Sequence, residues 1–471
     1  MTRVPCYLVR HSKKKKMEYL LKKNDFEVIK GFENDLLFYS PNSQLFPLLD
    51  KSIIEYIKIC SGEKSIENTV LKKNNIKEIY SFLNHKFNNN KKPVISNYIN
   101  NEIESVILPI AGICNLECSY CFARVEGDFS FSNISKNEVE KIIDSIFAKK
   151  KNNKLTITFF GGEPFLKFDI IQHTIHYIDK NYKDKEIYYT VTTNGTILTS
   201  KILSFIKKYK LAILVSIDGP KHVNIHRVYH SKKNSFDDVI KNILILKENN
   251  INIELRATLT NDTKDIVEVF SFFENLKIPF NIVFAYDSEN KSHELSQHKD
   301  NLLHIKKQFE KLYTYYVDRI KKNKKIFAYS ILSKLETIQF RVKKHYSCGG
   351  GHNFFSITNQ GDIYSCEHLV GLEKYSSGNI HNDFSMEKFH LKSVDVEKID
   401  ACDDCWAKYL CSGGCFSSNI SSTGNYLKPE LSRCELTKME WKFILNLYYS
   451  IKKIAPNYFK VESANTVSNE C

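Results

Sequence analysis

The 471-residue sequence lacks any long hydrophobic run. A helix that crosses a bilayer needs about 18 or more mostly apolar residues, and no such stretch is present. The first residues, MTRVPCYLVRHSKKKK, also lack the apolar segment of a secretory signal. The sequence therefore predicts neither a membrane span nor secretion, and we expect a cytoplasmic protein. No internal repeat is present beyond the alternation of strands and helices described below.

Acidic residues are also in short supply, because 54 Asp and Glu stand against 68 Lys and Arg, a net charge of +14. The lysines are scattered along the chain beside many Asn and Ile residues. We interpret them mainly as a solvated surface, with attraction of an acidic partner as the alternative. No nucleic-acid partner is predicted.

Cysteine, in contrast, is abundant, with 13 residues in the chain. Thiols stay reduced in the cytoplasm, so this number favours metal binding or catalysis over disulfides. Three cysteines cluster at residues 114–121 and seven lie between Cys348 and Cys434. Only Cys6, Cys60 and Cys471 stand apart.

Between the two cysteine groups, short apolar segments alternate with amphipathic helical stretches. The segments are SVILPIAG, LTITFF, YYTVTTNG, AILVSIDG, INIELRATLT and NIVFAYD. This order is typical of βα units around a parallel sheet. A capping box from Ser135 to Glu138 marks the start of the first helix. We therefore predict an α/β fold, a partial (β/α)6 barrel over residues 100–300, with its active face at the carboxyl ends of the strands.

The flanking regions have a different pattern. Residues 1–90 contain the apolar runs FEVIKG, LLFYS and QLF and then helical stretches, which predicts a small α+β module. The polar segment FNNNKKP, residues 87–93, is a predicted linker because it ends in proline. After the barrel we predict a helical bridge over 301–345, a cysteine-bearing domain over 346–440, and a helix and tail over 441–471.

The segment CNLECSYC, residues 114–121, spaces three cysteines as C-x3-C-x2-C. A [4Fe–4S] cluster has four irons that each need an outside ligand, so three thiolates leave one iron open. A structural zinc site normally has four protein ligands, and no further cysteine or histidine lies nearby, so zinc is the weaker alternative. With an aromatic residue before its last cysteine, the segment resembles the signature of radical S-adenosylmethionine (SAM) enzymes.

This resemblance implies a cofactor and a reaction. Cys114, Cys118 and Cys121 would hold a catalytic [4Fe–4S] cluster, whose open iron chelates the methionine moiety of S-adenosylmethionine and delivers one electron. Reductive cleavage then yields a 5′-deoxyadenosyl radical that takes hydrogen from the substrate.

Further matches to the family cover roughly residues 104–290. The segment GGEP follows the second strand, and in the family its backbone groups bind the methionine amine; Ser and Arg at later strand ends contact the ribose and carboxylate. An ordinary Gly-Gly turn and common strand-end residues are the alternatives. The resemblance thus implies a cofactor-binding set of Tyr120, Gly161, Gly162, Glu163, Pro164, Asn194, Ser216 and Arg256.

The second cysteine group resembles the seven-cysteine SPASM domain that follows the radical SAM core in many peptide-modifying enzymes. The resemblance implies two auxiliary [4Fe–4S] clusters, with a pair of zinc sites as the rival interpretation. One would be fully ligated by Cys402, Cys405, Cys411 and Cys434. The other would be held by Cys348, Cys366 and Cys415. Sulfatase-maturing relatives have an extra cysteine between the first two, but this chain has none, so one iron stays open or takes another ligand. His352 is a weak candidate that we interpret as an ordinary histidine.

The segment GDIYSCEHLVGLEKYSSGNI resembles maturases of the ranthipeptide and sactipeptide type, which tie a cysteine sulfur to a carbon of a ribosomally made peptide. This implies a precursor peptide with leader and core as substrate, and flavodoxin or ferredoxin as electron donor. Residues 1–90 would be a winged-helix-like module that binds the leader by strand addition.

Three other functions stay open. One is another radical modification of a peptide, such as carbon–carbon cross-linking or epimerisation. A second is anaerobic sulfatase maturation, although Glu367 stands where those relatives have an aspartate base and the extra cysteine is missing. The third is a non-enzymatic iron–sulfur electron carrier or scaffold.

The count of cysteine ligands gives a direct prediction. Anaerobic reconstitution should load about twelve irons per chain, since ten thiolates would hold three clusters of four. Replacing Cys114, Cys118 and Cys121 together by Ala should remove about four irons and abolish cofactor cleavage. Metal analysis that finds stoichiometric zinc and only about four irons would contradict the auxiliary clusters.

Overall fold

The computed structural model describes residues 27–30, 36–39, 46–47, 51–60, 71, 73–88, 94–96, 102–125, 128–150, 152–285, 301–382 and 392–459. The predictions that involve Cys6 and Cys471 lie outside these ranges. In the helices that are described, no segment combines the length and the hydropathy that a membrane span requires.

The amino-terminal part contains short strands followed by two helices. They are β1 (Glu27–Lys30), β2 (Leu36–Tyr39), β3 (Phe46–Pro47), α1 (Lys51–Cys60), α2 (Lys73–Asn88) and β4 (Val94–Ser96). The first three strands form an antiparallel sheet in the order β1-β2-β3. Strands and helices therefore follow in the predicted order, but α2 extends through the first two residues of the predicted linker.

The central part alternates strands and helices as the sequence predicts. Its elements are β5 (Ser105–Ala111), β6 (Arg124–Val125), β7 (Asp128–Phe129), α3 (Lys136–Lys149), β8 (Lys154–Gly161), α4 (Phe168–Asn181), β9 (Glu186–Thr193), α5 (Ser200–Tyr209), β10 (Ala212–Ser216), α6 (Phe236–Glu248), β11 (Ile253–Leu259), α7 (Ile266–Leu276) and β12 (Phe280–Phe284). All six predicted apolar segments are strands, and they lie side by side and parallel in the order β12-β11-β10-β9-β8-β5.

The carboxyl-terminal part is helical with three short strands. Its elements are α8 (Leu302–Lys321), α9 (Tyr329–Gln339), β13 (Val342–Lys344), β14 (Phe354–Ile357), β15 (Ile363–Tyr364), α10 (Lys408–Cys411), α11 (Phe416–Thr423) and α12 (Leu431–Ile454). The predicted boundary at residue 440 falls inside α12, which is one continuous helix and carries Cys434 in its first turn.

Local sequence accounts for the start of α3. The Ser135 hydroxyl accepts a hydrogen bond from the Glu138 N–H (3.3 Å), and the Glu138 carboxylate accepts one from the Ser135 N–H (2.7 Å). This is the predicted capping box, which satisfies N–H groups that have no partner within the helix. The apolar residues that follow at helical spacing, Val139, Ile142, Ile143 and Ile146, are all buried against the sheet.

The sequence analysis did not predict that the sheet continues beyond β5. Strand β14 pairs in parallel with β5, with Phe354 opposite Ser105, and β15 pairs antiparallel with β14. The N–H groups of Glu104 and Ser105 both donate to the Asn353 carbonyl (2.9 and 3.0 Å). Similarly, β4 pairs with β13. The second cysteine region is therefore attached to the central sheet by backbone hydrogen bonds.

The helical bridge is joined to helix α7 of the central part by a buried ion pair. The Glu274 carboxylate accepts hydrogen bonds from the Arg319 guanidinium (2.8 Å), the Tyr316 hydroxyl (2.9 Å) and the Phe327 N–H (3.1 Å). Both charged side chains are at least nine-tenths buried. The pair thus connects α7, α8 and the segment before α9.

This pair predicts a large effect on stability. Glu274→Ala should destabilise the protein by about 3–5 kcal/mol, because it leaves a buried guanidinium without its counter-ion. Asp318→Ala is the matched control. Asp318 lies next to Arg319 on α8, and it forms an exposed ion pair with Lys322 four residues later. Denaturant unfolding followed by circular dichroism should show a lower midpoint for the first variant and an unchanged one for the second. Equal midpoints would show that the buried pair does not hold the bridge.

Candidate functional site

The loop that follows β5 brings the first three cysteines together. The Cys114 sulfur accepts from the Leu116 N–H (3.4 Å) and from the Asn194 amide (3.6 Å). Burial raises the pKa of the Cys118 thiol to about 12, with Cys121 and Cys114 adding repulsion. The three thiols therefore lie close enough to influence one another electrostatically.

The arrangement of these thiols fits an iron–sulfur cluster. A thiol with a raised pKa ionises only beside a positive partner, which iron supplies. Cysteine thiolates are the ligands of [4Fe–4S] clusters, and three of them leave one iron open. The donor set of Cys114, Cys118 and Cys121 therefore fits such a cluster.

The GGEP segment packs directly against this loop. The Gly162 N–H donates to the Ala111 carbonyl (2.7 Å), and the Glu163 N–H donates to the Ile113 carbonyl (2.8 Å). A Cβ atom added at Gly162 would lie 2.1 Å from the Ile113 oxygen. Gly161 has a φ of 127°, in the region that favours glycine. The close approach of the two backbones thus explains why the segment contains two glycines, a reason stronger than an ordinary turn.

The side chain of Glu163 joins neighbouring strand ends. It is fully buried and accepts from the Asn194 N–H (2.7 Å), the Thr193 hydroxyl (2.8 Å) and the Phe165 N–H (3.0 Å). Burial raises the pKa of this carboxyl, and the three donors oppose that shift. Because these donors occupy the Glu163 carboxylate, we expect the GGEP segment to contact a cofactor through its backbone groups. Pro164 then begins a short 3-10 turn.

The remaining predicted cofactor residues lie along neighbouring strands. Asn194 follows β9, and its amide also donates to the Asn115 side chain (2.8 Å) beside Cys114. Ser216 ends β10 and pairs in register with Arg256 of β11. Arg256 is exposed, whereas its neighbours Leu255 and Ala257 are buried. Ser216 and Arg256 are therefore side by side on adjacent strands.

Tyr120 belongs to a buried polar triad that sequence reasoning did not find. Its hydroxyl donates to the Asp218 carboxylate and accepts from the Arg227 guanidinium (3.0 Å). The other oxygen of Asp218 accepts from the Thr258 N–H (3.1 Å). Asp218 lies two residues after the end of β10, which was an available signal. No local pattern marks Arg227.

In the second cysteine region, electrostatic interactions connect the cysteines in two sets. Cys402, Cys405, Cys411 and Cys434 repel one another electrostatically, and burial raises the pKa of Cys402 to about 11 and of Cys411 to about 12. Cys366 likewise interacts with Cys348 and Cys415. The cysteines thus interact within the set of four and within the set of three, and that each set holds a cluster stays a prediction.

Two side chains near the three-cysteine group were singled out from the sequence. His352 is buried and its Nε2 contacts the Ser393 carbonyl (2.7 Å), as expected of an ordinary core histidine. Glu367 accepts a hydrogen bond from the Cys366 thiol (3.4 Å). Glu367 therefore contacts a cysteine of the group.

A small apolar core joins the two cysteine regions; we call it the junction core. Its buried members are Ala123, Phe131, Tyr364, Cys366, Leu369, Val370, Phe416 and Ile420. Cys121 and Phe122 of the first cysteine loop pack against it. The Phe122 ring stacks on the His368 ring at a centroid distance of 3.8 Å. His368 also lies in the electrostatic range of Arg256, and burial lowers its pKa. His368 was missed, although it lies in the quoted segment CEHLVG.

Comparison with known proteins finds a family that the central part of the chain matches. Residues 108–273 match the family described as the Radical SAM superfamily. The radical SAM cyclopropyl synthase TigE of Paramaledivibacter caminithermalis is 28% identical over 365 residues, 72% of this chain and 73% of that protein. A cysteine-type anaerobic sulfatase-maturating enzyme of Clostridium novyi is 27% identical, covering 75% and 98%. The subtilosin biosynthesis protein AlbA of Bacillus subtilis is 24% identical, covering 69% and 70%.

Solved structures share the fold. The enzyme anSMEcpe with bound AdoMet and Cp18Cys peptide superposes with a TM-score of 0.61 at 21% identity, covering 74% of this chain and 99% of that one. SuiB of Streptococcus suis bound to its precursor peptide SuiA gives a TM-score of 0.50 at 16% identity, covering 87% and 98%. At these identities the likeness concerns the fold alone.

The contact at Gly162 yields a test of this site. Gly162→Ala should displace the cysteine loop, because the new methyl group cannot fit beside the Ile113 carbonyl. We expect about four fewer irons per chain after reconstitution and little cleavage of S-adenosylmethionine. Gly424→Ala is the control, since its φ of 70° also strains an alanine, by about 1–2 kcal/mol, but no atom lies within 4 Å. Full iron content in both variants would refute the close packing.

Proposed function

Since residues 108–273 form a radical SAM domain, we propose that this chain is a peptide maturase that forms sulfur-to-carbon thioether cross-links. Its substrate would be a ribosomally synthesised precursor peptide. The relatives that act on or bind peptides support the peptide part of this proposal, as does the structure of anSMEcpe with AdoMet and a peptide. The thioether part depends on the chain's own cysteines.

The observation that carries the thioether proposal is the three-cysteine group beside the radical site. Cys348, Cys366 and Cys415 supply three thiolates to a cluster that needs four outside bonds. Cys366 belongs to the junction core, against which Cys121 of the first loop also packs. A substrate thiol could thus occupy the fourth position near the carbon from which hydrogen is taken.

The cofactors supply a defined chemistry when bound: S-adenosylmethionine, with one electron from the cluster, provides a 5′-deoxyadenosyl radical that takes hydrogen from carbon. The chain's residues hold these groups. Cys114, Cys118 and Cys121 would bind the cluster, and the GGEP backbone with Ser216 and Arg256 would bind S-adenosylmethionine. The Phe122–His368 stack connects the two cysteine regions, and apolar rings at this place would help to exclude water.

Thioether formation must balance in electrons. The peptide loses one hydrogen atom from the acceptor carbon to the radical and one proton from the donor thiol, and a carbon–sulfur bond forms. One electron is left over, and it needs an acceptor. The auxiliary clusters would take this electron, whereas a flavodoxin or ferredoxin would supply the electron that cleaves S-adenosylmethionine. Such reductants belong to the cytoplasm, where we place the reaction.

The amino-terminal sheet would bind the leader. Within the described residues, β1 and β3 each pair with one strand only, β2. A strand with one unpaired edge can accept an extended peptide through backbone hydrogen bonds. This supports the proposed winged-helix-like recognition role for residues 1–90.

The relatives favour two other reactions. The name of TigE points to cyclopropane formation, which joins carbon to carbon. Sulfatase maturation is the activity of another relative, but this chain lacks a fourth cysteine between Cys348 and Cys366 and has Glu367 instead of aspartate. These reactions differ in what happens to the peptide thiols.

The test uses the cysteine-containing peptide that we expect to be encoded beside this chain's gene. The peptide is incubated anaerobically with reconstituted enzyme, S-adenosylmethionine and dithionite, then alkylated and analysed by mass spectrometry. We expect a mass loss of two hydrogens per cross-link and one fewer alkylated thiol for each. Replacing the donor cysteine of the peptide by Ser should abolish the cross-link but allow formation of 5′-deoxyadenosine.

Other outcomes identify the rival functions. Loss of two hydrogens with every thiol still open to alkylation would indicate a carbon–carbon bond. An aldehyde in place of the thiol would indicate formylglycine formation. If no 5′-deoxyadenosine forms under any condition, the remaining interpretation is a non-enzymatic electron carrier or scaffold.

A further inference from the structure

The Arg227 side chain is a buried cation at the first cysteine loop. Only 7% of the residue is exposed. One terminal nitrogen, Nη1, donates to the Tyr120 hydroxyl (3.0 Å) between Cys118 and Cys121 in the sequence. Its Nε–H is buried and has no hydrogen-bond partner among the residues that the structure describes. A buried donor without a partner costs free energy, so this group calls for an acceptor that those residues do not provide.

The surrounding residues fix the position of this guanidinium. The Arg227 carbonyl accepts from the Ser235 N–H (3.1 Å) and the Ser235 hydroxyl (2.8 Å). Tyr120 bridges the guanidinium to Asp218, and Asp218 is held by the Thr258 N–H at the next strand. Both the backbone and the guanidinium group of Arg227 are therefore held in place.

The segment that contains Arg227 lies antiparallel to the first cysteine loop. Leu116 pairs with Tyr229, and the Ser119 N–H donates to the His226 carbonyl (3.3 Å). This register puts Arg227 opposite Cys118, so cluster sulfur is the acceptor that we expect beside the guanidinium. Hydrogen bonds to the sulfurs and nearby charge are the two main ways in which a protein sets the reduction potential of an iron–sulfur cluster. A donor and a positive charge both stabilise the reduced cluster, which carries one more electron.

We propose that Arg227 donates its Nε–H to the sulfur shell of the cluster held by Cys114, Cys118 and Cys121, and thereby raises the reduction potential of that cluster. Arg227 is a positioning and tuning residue, not a ligand. Tyr120 and Asp218 hold it in place, which gives the aromatic residue before the third cysteine a second role. This inference rests on the cluster in the proposed function.

Redox titration of reconstituted full-length protein tests this role. The electron paramagnetic resonance signal that changes on adding S-adenosylmethionine identifies the relevant cluster among the three. The measurement is made without S-adenosylmethionine, at the potential where half of this cluster is reduced in the parent protein. At that potential, Arg227→Met should lower the ratio of reduced to oxidised cluster by about tenfold. Arg227→Lys keeps the charge but loses the Nε–H, so the ratio should fall less.

Arg124→Met is the matched control. Arg124 donates to the Leu116 carbonyl (3.2 Å) of the same loop, but it pairs with Glu117 at the loop's outer side. Its loss should leave the ratio unchanged, because this guanidinium is bound to the Leu116 carbonyl and the Glu117 carboxylate.

Three results would decide against the proposal. An unchanged ratio in Arg227→Met with the signal intact would overturn it, and so would a change that appears only with S-adenosylmethionine, since the guanidinium would then contact the cofactor instead. If Arg227→Met loads no cluster, Arg227→Lys decides by the same ratio, and a ratio equal to the parent's overturns the proposal. A parent protein without any signal that responds to S-adenosylmethionine would refute the proposed function itself.

Discussion

The parallel pairing of β14 with β5 is the constraint on which the rest of the structure depends. Strand β5 leads into the first cysteine loop, and β14 follows Cys348 of the second cysteine region. Two N–H groups at the start of β5 share the Asn353 carbonyl and fix this register. A shift by one residue would turn every side chain of β14 to the opposite face. The relative position of the two cysteine regions is therefore set by backbone hydrogen bonds of one sheet.

Side-chain packing completes what the sheet begins. The junction core buries Cys366 together with residues that follow the first cysteine loop, and the Phe122–His368 stack spans the contact. Apolar surroundings raise the pKa of thiols, as they do for Cys118 and Cys366. The same surroundings strengthen any interaction with a charged group that enters, because the local dielectric is low. Burial thus disfavours free thiolates and favours a bound cationic centre.

Polar groups around the first cysteine loop are nearly all committed to structure. Glu163 joins the ends of β8 and β9, Asn194 reaches the Cys114 sulfur, and Asp218 joins Tyr120 to the next strand. Arg227 differs because one of its buried donors has no partner in the part of the chain that the structure describes. A site whose supporting groups are already paired needs little rearrangement when its cofactor binds, since the cost of ordering is met on folding.

The sequence by itself determined the six central strands, the start of α3 and the spacing of the two cysteine groups. Alternating apolar residues, a capping box and cysteine spacing are local patterns, so they are visible without the fold. The tertiary structure decided the extension of the sheet by β14 and β15, the start of α12 at Leu431, and the contacts of Arg227 and His368. Tyr120 and Arg227 are 107 residues apart. Such pairs are set by which strands become neighbours and by what the core can bury, and no local periodicity records that.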